Sequence, residues 1–216
     1  MNPENPQEMS LDKGSGRTLV INATIMYGAM AAIGAMVCYY RHGSLVRSLH
    51  MNAELIILFR LLAVACLGAG VLLVSNFLFE ELFPSYRNLK WALARLMGGF
   101  SVPTAVYLAL SSALGEELLF RGAIQAEVGI IITSVIFGML HLGPGGQVSS
   151  WTVWTAMAGL LLGWMYQATG NLWAPILSHF IVNLVGFLRL RGLHRAAKLA
   201  MDRSPTPQVP ENSTHL

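Results

Sequence analysis

Two adjacent carboxylates, Glu116 and Glu117, and one arginine, Arg121, interrupt an apolar run that begins near Trp91. A charge at bilayer depth costs roughly 2.5–3.5 kcal/mol on insertion scales, so such groups face a protein interior and serve a function. Glu117 and Arg121 are four residues apart. On a helix they share a face and pair. Glu116 points about 100° away and has no partner at helical spacing. One acid is neutralised locally and the other is left free. Downstream, Phe137 and His141 are again four apart, as are His179 and Asn183. Phe137 can pack on the ring that His141 presents. Three apolar segments that each turn polar groups inward make one buried site.

Two chemistries suit a carboxylate and two histidines. In the first, Glu116 is a general base on water. His141 holds that water, and His179 with Asn183 donates hydrogen bonds to a developing oxyanion. No cofactor is needed. In the second, Glu116, His141 and His179 ligate a zinc ion with one open position. The local zinc-protease signature HExxH is missing from the chain, and the water mechanism is the favoured expectation.

These residues need elements to hold them, and the composition says which. The 216 residues are 54% hydrophobic and 12% charged, with mean hydropathy +0.54. Soluble domains carry about 25% charged residues. The chain is therefore expected to be an integral membrane protein, an all-α polytopic bundle of about six spans. The net charge of +3 belongs to residues flanking the spans and does not point to nucleic acid.

The spans are expected at about 18–40, 54–79, 91–121, 128–142, 151–167 and 176–190. Pro103 would kink the third, and the fourth is too short to cross a core about 30 Å thick unaided. Glu80, Glu81, Pro84, Arg87 and Lys90 read as the loop before the third. Gly159 and Gly163, four apart, permit close helix approach. Pro175 fits the first turn of the last span. Residues 1–17 read as a disordered tail, 18–190 as the membrane domain with its site half at about 90–190, and 191–216 as a basic, then disordered, tail. The basic residues after the last span place the C-terminus in the cytoplasm. Arg41 and Arg47, in a loop that would then lie outside, disagree. Cys38 and Cys66 fall inside spans and read as small apolar residues rather than a disulfide.

Glu116-Glu117-x-x-x-Arg121, Phe137-x-x-x-His141, and Asn171-Leu172-Trp173-Ala174-Pro175-Ile176 ahead of His179-x-x-x-Asn183 resemble, in that order, the CPBP family of CAAX proteases and bacteriocin-processing enzymes, also called Abi. The resemblance covers about residues 90–190. It implies an all-helical intramembrane endopeptidase of the glutamic type. By motif position Glu116 would be the catalytic base, His141 its water-binding partner, and His179 and Asn183 the oxyanion side. Glu117 and Arg121 would support them. The implied partners are the lipid bilayer and a membrane-associated peptide or protein substrate, with no nucleic acid. The implied location is a prokaryotic inner membrane. The chain is shorter than the eukaryotic prenyl-protein proteases, and small prokaryotic members match it better in size. A non-catalytic immunity or scaffold protein is the rival from another class. A proton-coupled carrier is a second, and the internal repeats it would be expected to show are not seen.

Overall fold

The computed structural model describes residues 13–42, 49, 54–97 and 99–202. The described residues form helices α1 (Lys13–His42), α2 (Leu55–Leu82), α3 (Pro84–Met97), α4 (Val102–Glu117), α5 (Gln125–Met139), α6 (Ser150–Thr169) and α7 (Trp173–Asp202). A π-helical segment, Leu118–Ile124, joins α4 to α5. The protein is an all-α membrane bundle. Four helical stretches are long and apolar enough to span a bilayer: Arg17–Arg41, Leu55–Leu82, Val102–Met139 and Trp173–Ala200. Their outer faces are apolar, with Leu55, Phe59 and Ile131 exposed by 84%, 73% and 69%. That pattern suits lipid and would be costly in water.

The Val102–Met139 stretch is two arms. Gly129 has φ 78° and ψ 169°, a left-handed conformation that glycine adopts without steric cost. Before it, Arg121 and Gln125 bond the carbonyls of Gly159 and Gly163. After it, Ile130 and Ser134 pack back on Gly163 and Gly159 in reverse order. The chain has turned back along α6. Ten helical residues beyond Gly129 span about 15 Å, half a bilayer core. The short fourth segment expected from sequence is thus a re-entrant arm that brings Phe137 back beside Arg121.

Four expectations change. Pro103 does not kink a long third span; it sits in the first turn of α4, which Ser101 caps by accepting from the Thr104 N–H at 3.2 Å. Proline fits there because its missing N–H would be unpaired anyway. Residues expected in the preceding loop are helical: Glu80 and Glu81 end α2, while Arg87 and Lys90 lie on α3. The last helix continues beyond residue 190 through Arg191, Arg195 and Lys198, because arginine, lysine, leucine and alanine all propagate helix well. Helix α1 starts at Lys13, inside the stretch expected as a tail. Residues 1–12, 203–216 and Arg47 lie outside the described residues.

Helix α1 runs parallel to the α4–α5 stretch. Thr24 meets the Tyr107 hydroxyl at 2.6 Å, the Cys38 thiol donates to the Gly122 carbonyl at 3.2 Å, and Arg41 pairs with Glu127. The start of α1 therefore lies at the same face of the bundle as the start of α4. The end of α7 lies there too: Arg191 Nε donates to the Phe100 carbonyl at 3.1 Å, and His194 Nδ1 sits 3.0 Å from the Ala94 carbonyl. Arg87, Lys90, Arg95, Arg189, Arg191 and Arg195 lie on α3 and α7, the two helices that meet at this face. The charge of Arg41 is offset by Glu127. Cys38 and Cys66 are both free.

A core of Leu72, Tyr86, Trp154, Leu162, Met165 and Val182 ties α2, α3, α6 and α7 together. The buried polar ends are satisfied: Trp154 Nε1 donates to Ser75 Oγ at 3.1 Å, and Asn76 Nδ2 donates to the Tyr86 hydroxyl at 2.5 Å.

Candidate active site

Glu116 and Glu117 sit in the last turn of α4, and Arg121 sits in the π segment that follows. The segment's carbonyl–amide pairing reaches one residue further than in an α-helix, as with the Gln125 N–H and the Phe120 carbonyl. Single π turns inside helices are frequent at functional sites. Glu117 and Arg121 are both 0% exposed in their side chains. Arg121 NH1 donates to Glu117 Oε1 at 2.9 Å, and NH2 donates to the Gly159 carbonyl at 2.9 Å. The guanidinium also lies over the Phe137 ring, 4.9 Å from its centroid, a cation–π contact strengthened by desolvation.

Sequence spacing anticipates the Glu117–Arg121 pair but not its third member. His179 Nδ1 lies 2.7 Å from Glu117 Oε1. Glu117 thus ties α7 to α4 and sets the His179 ring. Its Nε2 then faces Glu116 Oε2 across 3.8 Å. A histidine nitrogen held by a carboxylate fixes which ring nitrogen is free for chemistry. Glu116 is buried, and its Oε2 has no hydrogen-bond partner among the described residues. Glu117 Oε2, Arg121 Nε and Gln125 Oε1 share that lack of a partner, but of these residues only Glu116 lines the cavity described below.

His141 is fixed in a parallel way. Its Nδ1 meets the Phe137 carbonyl at 2.8 Å, its ring lies 4.8 Å from that of Phe137, and its own carbonyl accepts from Thr152 Oγ1 at 3.0 Å. The contact between Phe137 and His141 expected from their spacing is present. Phe137 also meets Phe120 at 5.0 Å and His179 at 6.1 Å, both edge to face. It is the aromatic hinge of the site. Asn183 donates from Nδ2 to Ser112 Oγ at 2.9 Å.

Glu116, Phe137, His141, His179 and Asn183 all line one cavity of about 450 Å³. Glu117 and Arg121 lie behind it. Three residues escaped the sequence reading. Ser112 precedes Glu116 by four and holds Asn183. Gln125 follows Arg121 by four and donates to the Gly163 carbonyl at 3.0 Å. Trp151 faces His141 at 6.2 Å. The period-four series Ser112–Glu116 and Glu117–Arg121–Gln125 is a signal that could have found the first two. No sequence signal points to Trp151.

The glycines of α6 make this possible. A Cβ on Gly163 would lie 2.6 Å from Gln125 Oε1 and 2.8 Å from Ile130 Cγ1. Close approach leaves the Gly159 and Gly163 carbonyls within reach of Arg121 and Gln125, as small residues allow in membrane helices.

For a metal, the histidine and carboxylate donors must converge on one point. Among the described residues no group of three His, Cys, Asp or Glu side chains is arranged to hold an ion. The set Glu116, His141 and His179 does not fit a zinc centre as it stands.

The model of the type II CAAX prenyl endopeptidase Rce1-like family matches residues 98–185. The matched stretch holds every site residue described above. An uncharacterized Bacillus subtilis protein, YpbD, is 31% identical over 129 residues, covering 58% of this chain and 67% of its own. No solved structure matches the chain.

Proposed function

The chain belongs to the Rce1-like family of CAAX-type intramembrane proteases within the CPBP group, and from that premise we propose that it hydrolyses a peptide bond of a membrane-associated substrate with water activated by Glu116. The observation that carries the reading is the buried, unpartnered Glu116 Oε2 facing His179 Nε2 at 3.8 Å on the cavity wall. In this reading the free Glu116 oxygen accepts a hydrogen bond from the water that His141 holds. Glu116 takes its proton as the water oxygen attacks the scissile carbonyl. The carbonyl oxygen gains charge, and His179 and Asn183 donate to it. His141, with its Nδ1 at the Phe137 carbonyl, keeps Nε2 for the water. Glu116 then delivers the proton to the leaving amine.

Glu117 and Arg121 act through His179 and are positioning residues. Their pair keeps the charge of Arg121 compensated in a dry interior while aiming the imidazole. The zinc alternative is the weaker reading, because its three ligands do not converge. A non-catalytic immunity or scaffold role leaves Glu116 Oε2 unexplained. The Bacillus relative supports a prokaryotic cytoplasmic membrane as the location.

The test is cleavage of membrane-anchored peptide libraries by purified protein in bilayers, with products identified by mass spectrometry. Cleavage by the wild type, absent in Glu116→Gln, is the expected result. Equal product from both proteins would overturn the assignment of Glu116.

A further inference from the structure

Helix α1 reaches the cavity although it lies outside the family-matched residues 98–185. Tyr27 is its one described lining residue, on the same wall system as Glu116, Phe137, His179 and Asn183. The packing builds this placement. A Cβ on Gly115 would lie 2.6 Å from the Tyr27 carbonyl oxygen and 3.1 Å from the Tyr27 Cβ. Any larger residue at 115 would push α1 away, so this glycine seats Tyr27 against the turn that carries Glu116. Beyond Glu116 the approach is as close. A Cβ on Gly34 would lie 2.5 Å from the Leu118 carbonyl oxygen, and one on Gly122 would lie 2.9 Å from Cys38 Sγ. The two chain stretches therefore touch on both sides of the glutamate. Helix α4 meets α7 through Ser112 and Glu117, which hold Asn183 and His179. It meets α1 through Gly115. Glu116 is thus approached by polar groups from two helices.

The chemistry of Tyr27 is that of a neutral donor, since a phenol keeps its proton at neutral pH. Tyr27 is half-buried, and among the described residues its hydroxyl has no hydrogen-bond partner. Buried tyrosine hydroxyls ordinarily find one. The phenol lies within electrostatic reach of Glu116, yet no hydrogen bond joins the two. Both can act on one group between them, the base through its water on a carbonyl carbon and the phenol on the carbonyl oxygen. Water addition places negative charge on that oxygen, and each donor already aimed at it lowers the barrier. We propose that Tyr27 is a further catalytic residue, an oxyanion donor that α1 supplies alongside His179 and Asn183 of α7. The inference rests on the proteolytic reading above. The phenol shares its proton in a hydrogen bond and keeps it; the proton that moves is the water's, taken by Glu116 and passed to the leaving amine.

The test is Tyr27→Phe, which removes one oxygen and keeps the ring that packs. With the protein in nanodiscs and a peptide that the wild type cuts, kcat is expected to fall roughly 10²-fold. KM is expected to hold, because the contact is made in the transition state alone. The acid limb of the kcat–pH profile is expected to stay in place. Thr24→Val is the docking control. It breaks the 2.6 Å contact of α1 with the Tyr107 hydroxyl, and Thr24 is not among the described lining residues. It is expected to lower the thermal midpoint without the loss in kcat. Wild-type kcat in Tyr27→Phe would overturn the proposal, as would a change confined to KM. So would a moved acid limb with an unchanged plateau, which would make Tyr27 a tuner of Glu116, or an equal loss of kcat in Thr24→Val. A second readout needs no turnover. A peptide trifluoromethyl ketone hydrates to a tetrahedral carbon, and its affinity by calorimetry is expected to fall about tenfold in Tyr27→Phe, the scale of one hydrogen bond, while the parent peptide binds both proteins alike. Equal ketone affinities would also overturn the donor role. Undiminished cleavage by Glu116→Gln with the ketone still separating Tyr27→Phe from wild type would sink the glutamate mechanism and spare Tyr27. An inactive Glu116→Gln beside an unimpaired Tyr27→Phe would sink the Tyr27 assignment alone.

Discussion

Replacing Arg121 tests how the buried triad works. Arg121→Met keeps length and apolar contact but removes the charge. Glu117 then holds a carboxylate at 0% exposure with His179 as its only remaining described partner. The Gly159 carbonyl loses its donor, and the contact with Phe137 is gone. Breaking one side of a buried pair costs about 3–5 kcal/mol in soluble interiors. For a chain of this size, 1 kcal/mol shifts the midpoint by about 2–4 °C, which gives a fall of roughly 6–20 °C. The measurement is thermal unfolding in detergent micelles, followed by tryptophan fluorescence. Glu117→Gln is expected to fall similarly, because it leaves the Arg121 charge uncompensated. The double variant removes both charges and is expected to be more stable than the sum of the two losses predicts, with a coupling of about 0.5–3 kcal/mol. Additive losses, or an Arg121→Met protein that is inactive yet as stable as wild type, would refute the argument and move Arg121 into the catalytic machinery.

Glu116→Gln is expected to lower kcat by about 10²–10⁴-fold with no loss of thermal stability, checked by parallel peptidase and unfolding assays. Asn183→Ala removes an oxyanion donor and is expected to cost roughly 10²–10³-fold in kcat, whereas Ser112→Ala, which only positions Asn183, is expected to cost about tenfold or less, the scale of one neutral hydrogen bond. Gly163→Val is expected to destabilise by about 1–3 kcal/mol through overpacking against Gln125 and Ile130, read as a lower midpoint. Activity is expected to survive chelators; stoichiometric zinc lost together with activity, and restored with it, would return the mechanism to the metal alternative.

The membrane class and the inward-facing motifs were legible in the sequence because hydrocarbon is an unforgiving solvent. An ionisable residue inside a span advertises itself, and spacing of four places its partner on the same helical face. Glu116, Glu117, Arg121, Phe137, His141, His179 and Asn183 could be chosen on those grounds. The pairing of α6 through Gly159 and Gly163 was readable for the same local reason. Boundaries were less so. Pro103 reads as a kink of the third span until Ser101 is seen capping Thr104, and the end of the apolar run near residue 190 does not end the helix, because the Arg, Lys, Leu and Ala that follow propagate it.

Which groups meet across helices is a matter of packing. Periodicity orders residues along one helix and is silent about separations such as the 62 positions between Glu117 and His179. It therefore missed that His179 is aimed by Glu117, and that Ser112 holds Asn183. The reversal at Gly129 also lay beyond it, since a glycine in an apolar run has no signature until its φ is fixed by the packing on either side. Glu80 of α2, the acid shared by Lys90 of α3 and Arg189 of α7, is the same kind of fact. Composition and spacing specify the solvent, the helices and the reactive groups; the packing of those helices selects their partners, because contact energy depends on distance in space and a sequence records distance only along the chain.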